Sequence, residues 1–243
     1  MSTSEVTALP SKEEKAAHVR SMFSAIAPRY DLLNHLLSLN IDRRWRRMAV
    51  DRLGWEKRPD GTYLDNCAGT LDLSVELAGR PGFKGRVVGS DFTFAMLQGG
   101  EEKRRDWPIT AVCADALSLP YAPETFEGAT VGFGVRNLAD LDGGLREMAR
   151  VLKQGSRLVI LEFTTPVWQP FRALYFFYFL RVLPLIGRMI SSHGSAYSYL
   201  PQSVLRFPEP PDLARRLVEA GFHTVSWKRL TGGIVAIHQA TRG

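Results

Sequence analysis

Hydrophobic positions along the chain change their period near residue 62. Before it, Val19, Met22, Phe23 and Ile26 recur at helical spacing, as do Trp45, Met48, Ala49 and Leu53. Ser11 with Glu14 reads as a capping box opening the first of these helices, and Asp42 as the cap of the second. Beyond residue 62, short apolar runs alternate with amphipathic stretches. Strands are predicted at 63–67, 86–91, 109–113, 127–132 and 157–163, and helices at 72–80, 94–105 and 140–152, the last capped by Asp140. Such alternation, with crossovers long enough for a helix, predicts an α/β fold with a mostly parallel sheet covered on both faces. A long aromatic stretch follows at 168–191, then a helix begun by Pro211 and closed by Gly221. Two last strands, 223–228 and 233–238, flank a Thr231-Gly232-Gly233 turn and predict an antiparallel hairpin closing one sheet edge. With no repeat and no linker, residues 1–243 read as one domain. Residues 1–55 form a helical cap and 168–210 an insertion.

Composition narrows the class. Hydrophobic residues at 45% and charged residues at 23% suit a globular chain with a real core. Lys and Arg number 31 against 25 Asp and Glu, a small excess that reads as a basic solvated surface, although Arg43, Arg44, Arg46 and Arg47 crowd around Trp45. Cys67 and Cys113 sit in apolar runs with no metal-ligand spacing, so reduced thiols and a cytoplasmic protein without a metal are expected. No apolar run reaches the roughly 18–20 residues that span a bilayer. The nearest, 173–180, stops at Arg181.

Ligands of open α/β sheets sit beyond the carboxyl ends of the strands. There the chain places Asp65 leading into Ala68-Gly69-Thr70-Leu71, then Asp91, then Asp115-Ala116. A strand-end acid is by itself more often a helix cap than a ligand. Three at consecutive strand ends favour a nucleoside site: Asp91 can accept from ribose hydroxyls and Asp115 from an adenine amine, while Gly69 permits close backbone approach. G-x-G-x-x-G, the phosphate-binding G-x-x-x-x-G-K-[ST] and the G-x-S-x-G elbow do not occur, which argues against dinucleotide, phosphoryl-transfer and serine-hydrolase chemistry. A nucleoside cofactor without phosphates fits S-adenosylmethionine best.

The chain also resembles the menaquinone/ubiquinone biosynthesis C-methyltransferases from about Val19 almost to its end. The resemblance rests on several blocks: Met22-Phe23-Ser24-Ala25-Ile26-Ala27-Pro28-Arg29-Tyr30-Asp31; Ile41-Asp42-Arg43-Arg44-Trp45; Gly132-Phe133-Gly134-Val135-Arg136-Asn137; Leu161-Glu162-Phe163; Tyr199-Leu200; and Thr231-Gly232-Gly233-Ile234. It implies a class I methyltransferase (Rossmann-like) fold with seven strands, the last antiparallel. It further implies S-adenosylmethionine as donor and a prenylated quinol ring carbon as acceptor. Gly69, Thr70, Asp91, Asp115 and Ala116, with Asp65 beside them, would serve the cofactor. Arg136 and Asn137 would face the quinol, and Tyr30 and Asp31 would close over it.

On residue type alone, Arg136 would sooner pair with a helix acid such as Glu147; the resemblance points it to the quinol, where it could favour a phenolate but not act as the base. Trp168, Phe171, Tyr175, Phe176, Phe177, Tyr178 and Phe179, interrupted by arginines, read as core or as a cover for a prenyl tail. The second reading implies peripheral contact with the inner face of a membrane. Homodimerisation is left open. No N-P-P-Y-type tetrapeptide is present to hold a flipped base, which argues against nucleic acid. The family's Gly-Thr-Gly-Asp loop is here Gly69-Thr70-Leu71-Asp72, and Ser156 stands where a turn glycine is usual. Two readings follow: a working quinol methyltransferase whose Leu71 points into the core, or a diverged paralogue that binds S-adenosylmethionine poorly and acts as a lipid- or quinone-binding or assembly protein or on another substrate.

Overall fold

The computed structural model describes residues 12–32, 38, 40–178, 181 and 195–243. Seven strands form one sheet: β1 (Thr62–Asn66), β2 (Arg86–Asp91), β3 (Ile109–Cys113), β4 (Phe126–Gly132), β5 (Leu152–Phe163), β6 (Phe222–Leu230) and β7 (Val235–Arg242). Their order is β3-β2-β1-β4-β5-β7-β6. The pairs from β3 through β5 are parallel, while β7 runs antiparallel to both β5 and β6. The expected hairpin therefore closes the sheet edge, with β7 lying inside β6. This is the seven-stranded arrangement that the resemblance implies.

Alternation along each strand feeds two cores. Tyr63, Val159 and Leu161 face α2 (Ile41–Val50) and α3 (Asp72–Ala78), packing with Trp45, Val50, Leu73 and Leu77. Leu64, Leu158 and Ile160 face the other way, onto Leu145 and Met148 of α6 (Leu141–Val151) and Leu213 and Leu217 of α9 (Pro210–Glu219). The helix α1 (Lys12–Ile26) lies apart from both. Its Val19 and Met22 form a small third cluster with Tyr199 of α8 (Ser195–Arg206).

Several elements differ from expectation. The stretch 94–105 is two helices, α4 (Phe94–Gly99) and α5 (Glu101–Arg104), broken at Gly99-Gly100. A Cβ at Gly100 would come 2.7 Å from the Thr70 carbonyl oxygen and 3.0 Å from a Leu71 methyl, so glycine lets this break press against the loop after β1. Asp42 does not cap α2. Asn40, left-handed at φ 61°, precedes the helix, and Asp42 sits in its first turn, accepting from Ser38 Oγ and pairing with Arg46. Strand β5 starts at Leu152 rather than 157, with a register irregularity opposite Phe126–Gly128. The left-handed residue there is Gly155, which is why Ser156 is tolerated and can point its hydroxyl at the Phe126 carbonyl. Asp140 does cap α6, accepting from the Gly143 N–H. Of the aromatic stretch, α7 covers Gln169–Phe177, and most of 179–194 lies outside the described residues, as does Ser11.

Candidate active site at the carboxyl edge of the sheet

A cleft opens above the carboxyl ends of β1, β2 and β4. Its walls take Asn66, Cys67 and Gly69 after β1, Asp91 and Phe92 after β2, Asp115 and Ala116 after β3, and Phe133 and Asn137 after β4. Ala16, Phe23 and Tyr30 from the N-terminal segment roof it over.

Asp91, the last residue of β2, is buried. It accepts from the Gly69 N–H at 2.9 Å and the Thr93 N–H at 2.8 Å. Burial pushes its carboxyl up from the ordinary range, and these backbone donors oppose the shift. Two of its lone pairs are taken, leaving capacity for hydroxyl donors. Gly69 is left-handed at φ +54°, and a Cβ there would crowd Met96 Cε at 3.3 Å. Asp115 is exposed and tightens its own loop through the Leu117 N–H. Two polar atoms on residues of the wall, Asn66 Nδ2 and Asn137 Oδ1, are buried with no hydrogen-bond partner. Buried amides normally find partners, so a polar ligand suits them. The acid, the glycine and the Asn66 amide together fit a nucleoside cofactor, and Asn137 Oδ1 is left for a second ligand.

Asp65 lies below the cleft instead of in its wall. Strand register sets it opposite Gly89, two residues short of Asp91. Its carboxylate accepts from the Ser74 N–H and Oγ and from Thr130 Oγ1, tying β1 to the start of α3 and to β4. Burial pushes its carboxyl up to about 7. The unfolded value is roughly 3.9, so the native state binds the extra proton between the two pH values. The stabilising effect of that proton is complete below about pH 4 and disappears as pH rises toward 7, opposite to a salt-bridged carboxylate. Urea midpoints at about pH 5 and about pH 7.5 check this: Asp65→Asn is expected to shrink the wild-type decline. An unchanged decline would reject the assignment.

The N-terminal segment is held over the cleft by charge. Asp31 accepts from Thr70 Oγ1 at 2.6 Å and pairs with Lys103 Nζ at 2.6 Å, and Lys103 also reaches Asp72 at 2.6 Å. Asp72 in turn pairs with Arg46 at 3.1 Å. At the other end of α1, Lys15 donates to the carbonyls of Arg136 and Leu138. Thr70 and Asp31 thus meet each other rather than the cavity, and leave Tyr30 as the roof.

Arg136 and Asn137 share the turn Val135–Asn137 but face different spaces. Asn137 lines the cleft; Arg136 does not. The Arg136 guanidinium pairs at 2.7 Å with Glu162, at the end of β5, and also donates to the Phe133 carbonyl. Glu162 accepts from the backbone N–H groups of Arg136 and Phe163 as well. Burial raises the Glu162 carboxyl, and Arg136 opposes that shift. The ion pair expected with Glu147 is absent, because Glu147 is taken by Arg150. Phe133, left-handed at φ 58°, stacks 4.5 Å from Phe163.

Leu71 is left-handed at φ 69° and fully buried, packed in the core beneath the loop. Its isobutyl group fills the space above Gly89, where a Cβ would collide with Leu71 Cδ2. The cavity walls do not include it. The backbone thus keeps the angle that a glycine would take, and the side chain leaves the cleft clear.

Residue types alone did not single out Asn66, Cys67, Phe92 and Met96, although their places just after strand ends were the available signal. Lys15 and Lys103 gave no such signal, since their partners are distant in sequence, whereas Glu162 stood at a predicted strand end.

Residues 10–242 match the ubiE/COQ5 methyltransferase family. The chain belongs to that family. It is 46% identical over 233 residues to the ubiquinone/menaquinone biosynthesis C-methyltransferase UbiE of a Geobacter species, covering 94% of this chain and 98% of that one. It is 43% identical to the demethylmenaquinone methyltransferase of Streptomyces avermitilis, covering 94% and 96%. Among solved structures, a SAM-dependent methyltransferase from Thermotoga maritima aligns with a TM-score of 0.63 at 16% identity, covering 92% and 99%. The cyclase SpnF aligns with a TM-score of 0.68 at 15% identity, covering 96% and 97%. At such identities the solved structures speak for the fold alone. As a member of the ubiE/COQ5 family, the protein is an S-adenosylmethionine-dependent C-methyltransferase.

Proposed function

We propose that this enzyme methylates a ring carbon of a prenylated quinol, a demethylmenaquinol or the equivalent benzoquinol, in quinone biosynthesis. The observation that carries the reading is near-full-length identity above 40% to enzymes named for that step. The walls of the cleft agree with it, because Phe23, Tyr30, Phe92 and Phe133 supply aromatic surface that shields a reacting ring from water.

S-adenosylmethionine supplies an electrophilic methyl group. The protein's part is positioning and charge. Asp91 would accept from the ribose hydroxyls and Asp115 from the adenine amine, and Ala116 would line the base. Gly69 admits the ligand against the backbone. Asn137 Oδ1 accepts from a quinol hydroxyl, which enriches the ring in electrons. Arg136 favours phenolate character, and the ring proton that the methyl group replaces leaves to water, because a guanidinium cannot accept it.

Incubation with isotopically labelled methyl donor and reduced prenyl naphthoquinol or benzoquinol tests the proposal. One labelled methyl on a ring carbon is the expected product, and inactivity on both rings would reject the acceptor class.

Membrane contact belongs to the same reading, because a prenyl tail partitions into lipid. Val167, Trp168, Leu174 and Phe177, at the start and along α7, are all more than 60% exposed, with Arg172 and Arg181 among them. Such a face suits an anionic bilayer surface. Among the described residues, no helix is long and apolar enough to cross a membrane. The protein is expected to float with anionic vesicles at low salt and to lose most of that binding in Trp168→Ala/Phe177→Ala. Failure of the wild type to float would count against peripheral contact.

A further inference from the structure

A second, more open cavity of about 1000 Å³ lies across the Val135–Asn137 turn from the cofactor cleft, and the two share Leu138 and Ala139 in their walls. Arg136 and Tyr199 both line it. The Tyr199 ring is 5% exposed, packed on Val19 and Met22 of α1 and 5.7 Å from the His18 ring. Among the described residues its hydroxyl, which is buried, has no hydrogen-bond partner, and neither has Arg136 Nε. The Arg136 side chain is itself only 7% exposed. Native interiors seldom leave such donors unpaired, because each costs stability unless something binds to it. Here two residues that each carry a buried, unpaired donor line one cavity, and one of them, Arg136, is the residue that the proposed reaction places against the quinol.

The geometry points to Tyr199 as a further substrate-binding residue, its hydroxyl donating alongside Arg136 Nε to a ring oxygen of the acceptor. This assignment rests on the quinol reading above. The neighbourhood agrees with it. Burial raises the Tyr199 hydroxyl above its ordinary value, so it stays protonated and can donate. Glu162 occupies the opposite side of the Arg136 guanidinium through Nη1, which fixes the plane and leaves Nε for another acceptor. Tyr199 also joins α8 to α1 through Val19 and Met22.

The assignment separates function from stability in one variant. Tyr199→Phe removes only the hydroxyl. If that hydroxyl has no partner in the free enzyme, the melting temperature stays level or rises. The KM for a reduced, short-tailed quinol is then expected to rise about ten-fold, the usual value of one such hydrogen bond, with the dissociation constant for S-adenosylmethionine within about two-fold of wild type. The unchanged cofactor affinity shows that the variant is folded. A lower melting temperature would mean that the hydroxyl is bonded inside the protein, and an unchanged KM would mean that it does not meet the acceptor; either result overturns the assignment. A wild type inert toward both quinol classes overturns the acceptor reading instead, and the Tyr199 assignment with it.

Discussion

Asp91→Ala is expected to raise the dissociation constant for S-adenosylmethionine by at least about 100-fold. A hydrogen bond to a charged acceptor contributes roughly 1.5–3 kcal/mol, and two ribose hydroxyls on one carboxylate give about 3–6 kcal/mol, or roughly two to four decades of affinity. The same carboxylate orients the Gly69 and Thr93 N–H groups, so its loss also loosens the loop that carries the ligand. Asp91→Asn keeps one acceptor oxygen and should fall between, near ten-fold. Calorimetric titration measures both, and a loss below about three-fold in the alanine variant would remove Asp91 from the cofactor site.

Leu71→Gly should destabilise the fold and leave the cofactor's affinity nearly unchanged. Two effects oppose each other. Relief of the left-handed backbone at Leu71 returns about 1–2 kcal/mol. Emptying a fully buried leucine site costs about 3–5 kcal/mol, because Gly89 and Gly100 beneath it have no side chains to fill the hole. The cavity wins, and a net loss of about 1–4 kcal/mol lowers the melting temperature by roughly 2–15 °C at this chain length. The dissociation constant for S-adenosylmethionine is expected to stay within about three-fold of wild type. A variant that melts higher, or binds the cofactor ten-fold tighter, would show that Leu71 obstructs the site.

The sheet was legible because its strands keep one period and its helices another, and because acids punctuate the strand ends. What the sequence left hidden is a matter of depth and direction. Asp65 and Asp91 look alike as strand-end acids, yet register sets one beneath the loop and the other in the cleft wall. The break at Gly99-Gly100 was written in the chain, but its reason lies in the Thr70 carbonyl packed against it. Arg136 and Asn137 are neighbours that a short turn sends to opposite sides, a divergence that no periodicity encodes. The pairing of Arg136 with Glu162 instead of Glu147 depends on which strand ends beside the turn, a fact of topology.

The placement of β7 between β5 and β6 bears on how the protein is made. A ribosome that has finished β6 has produced a strand with no partner to join, and β5 still shows an unpaired edge. Both edges stay open until residues 235–242 emerge, so the nascent chain is most prone to cross-pairing with its neighbours in that interval. Early stop codons after residue 234 would therefore give insoluble product, whereas changes confined to the outer edge of β6 would be borne far more easily.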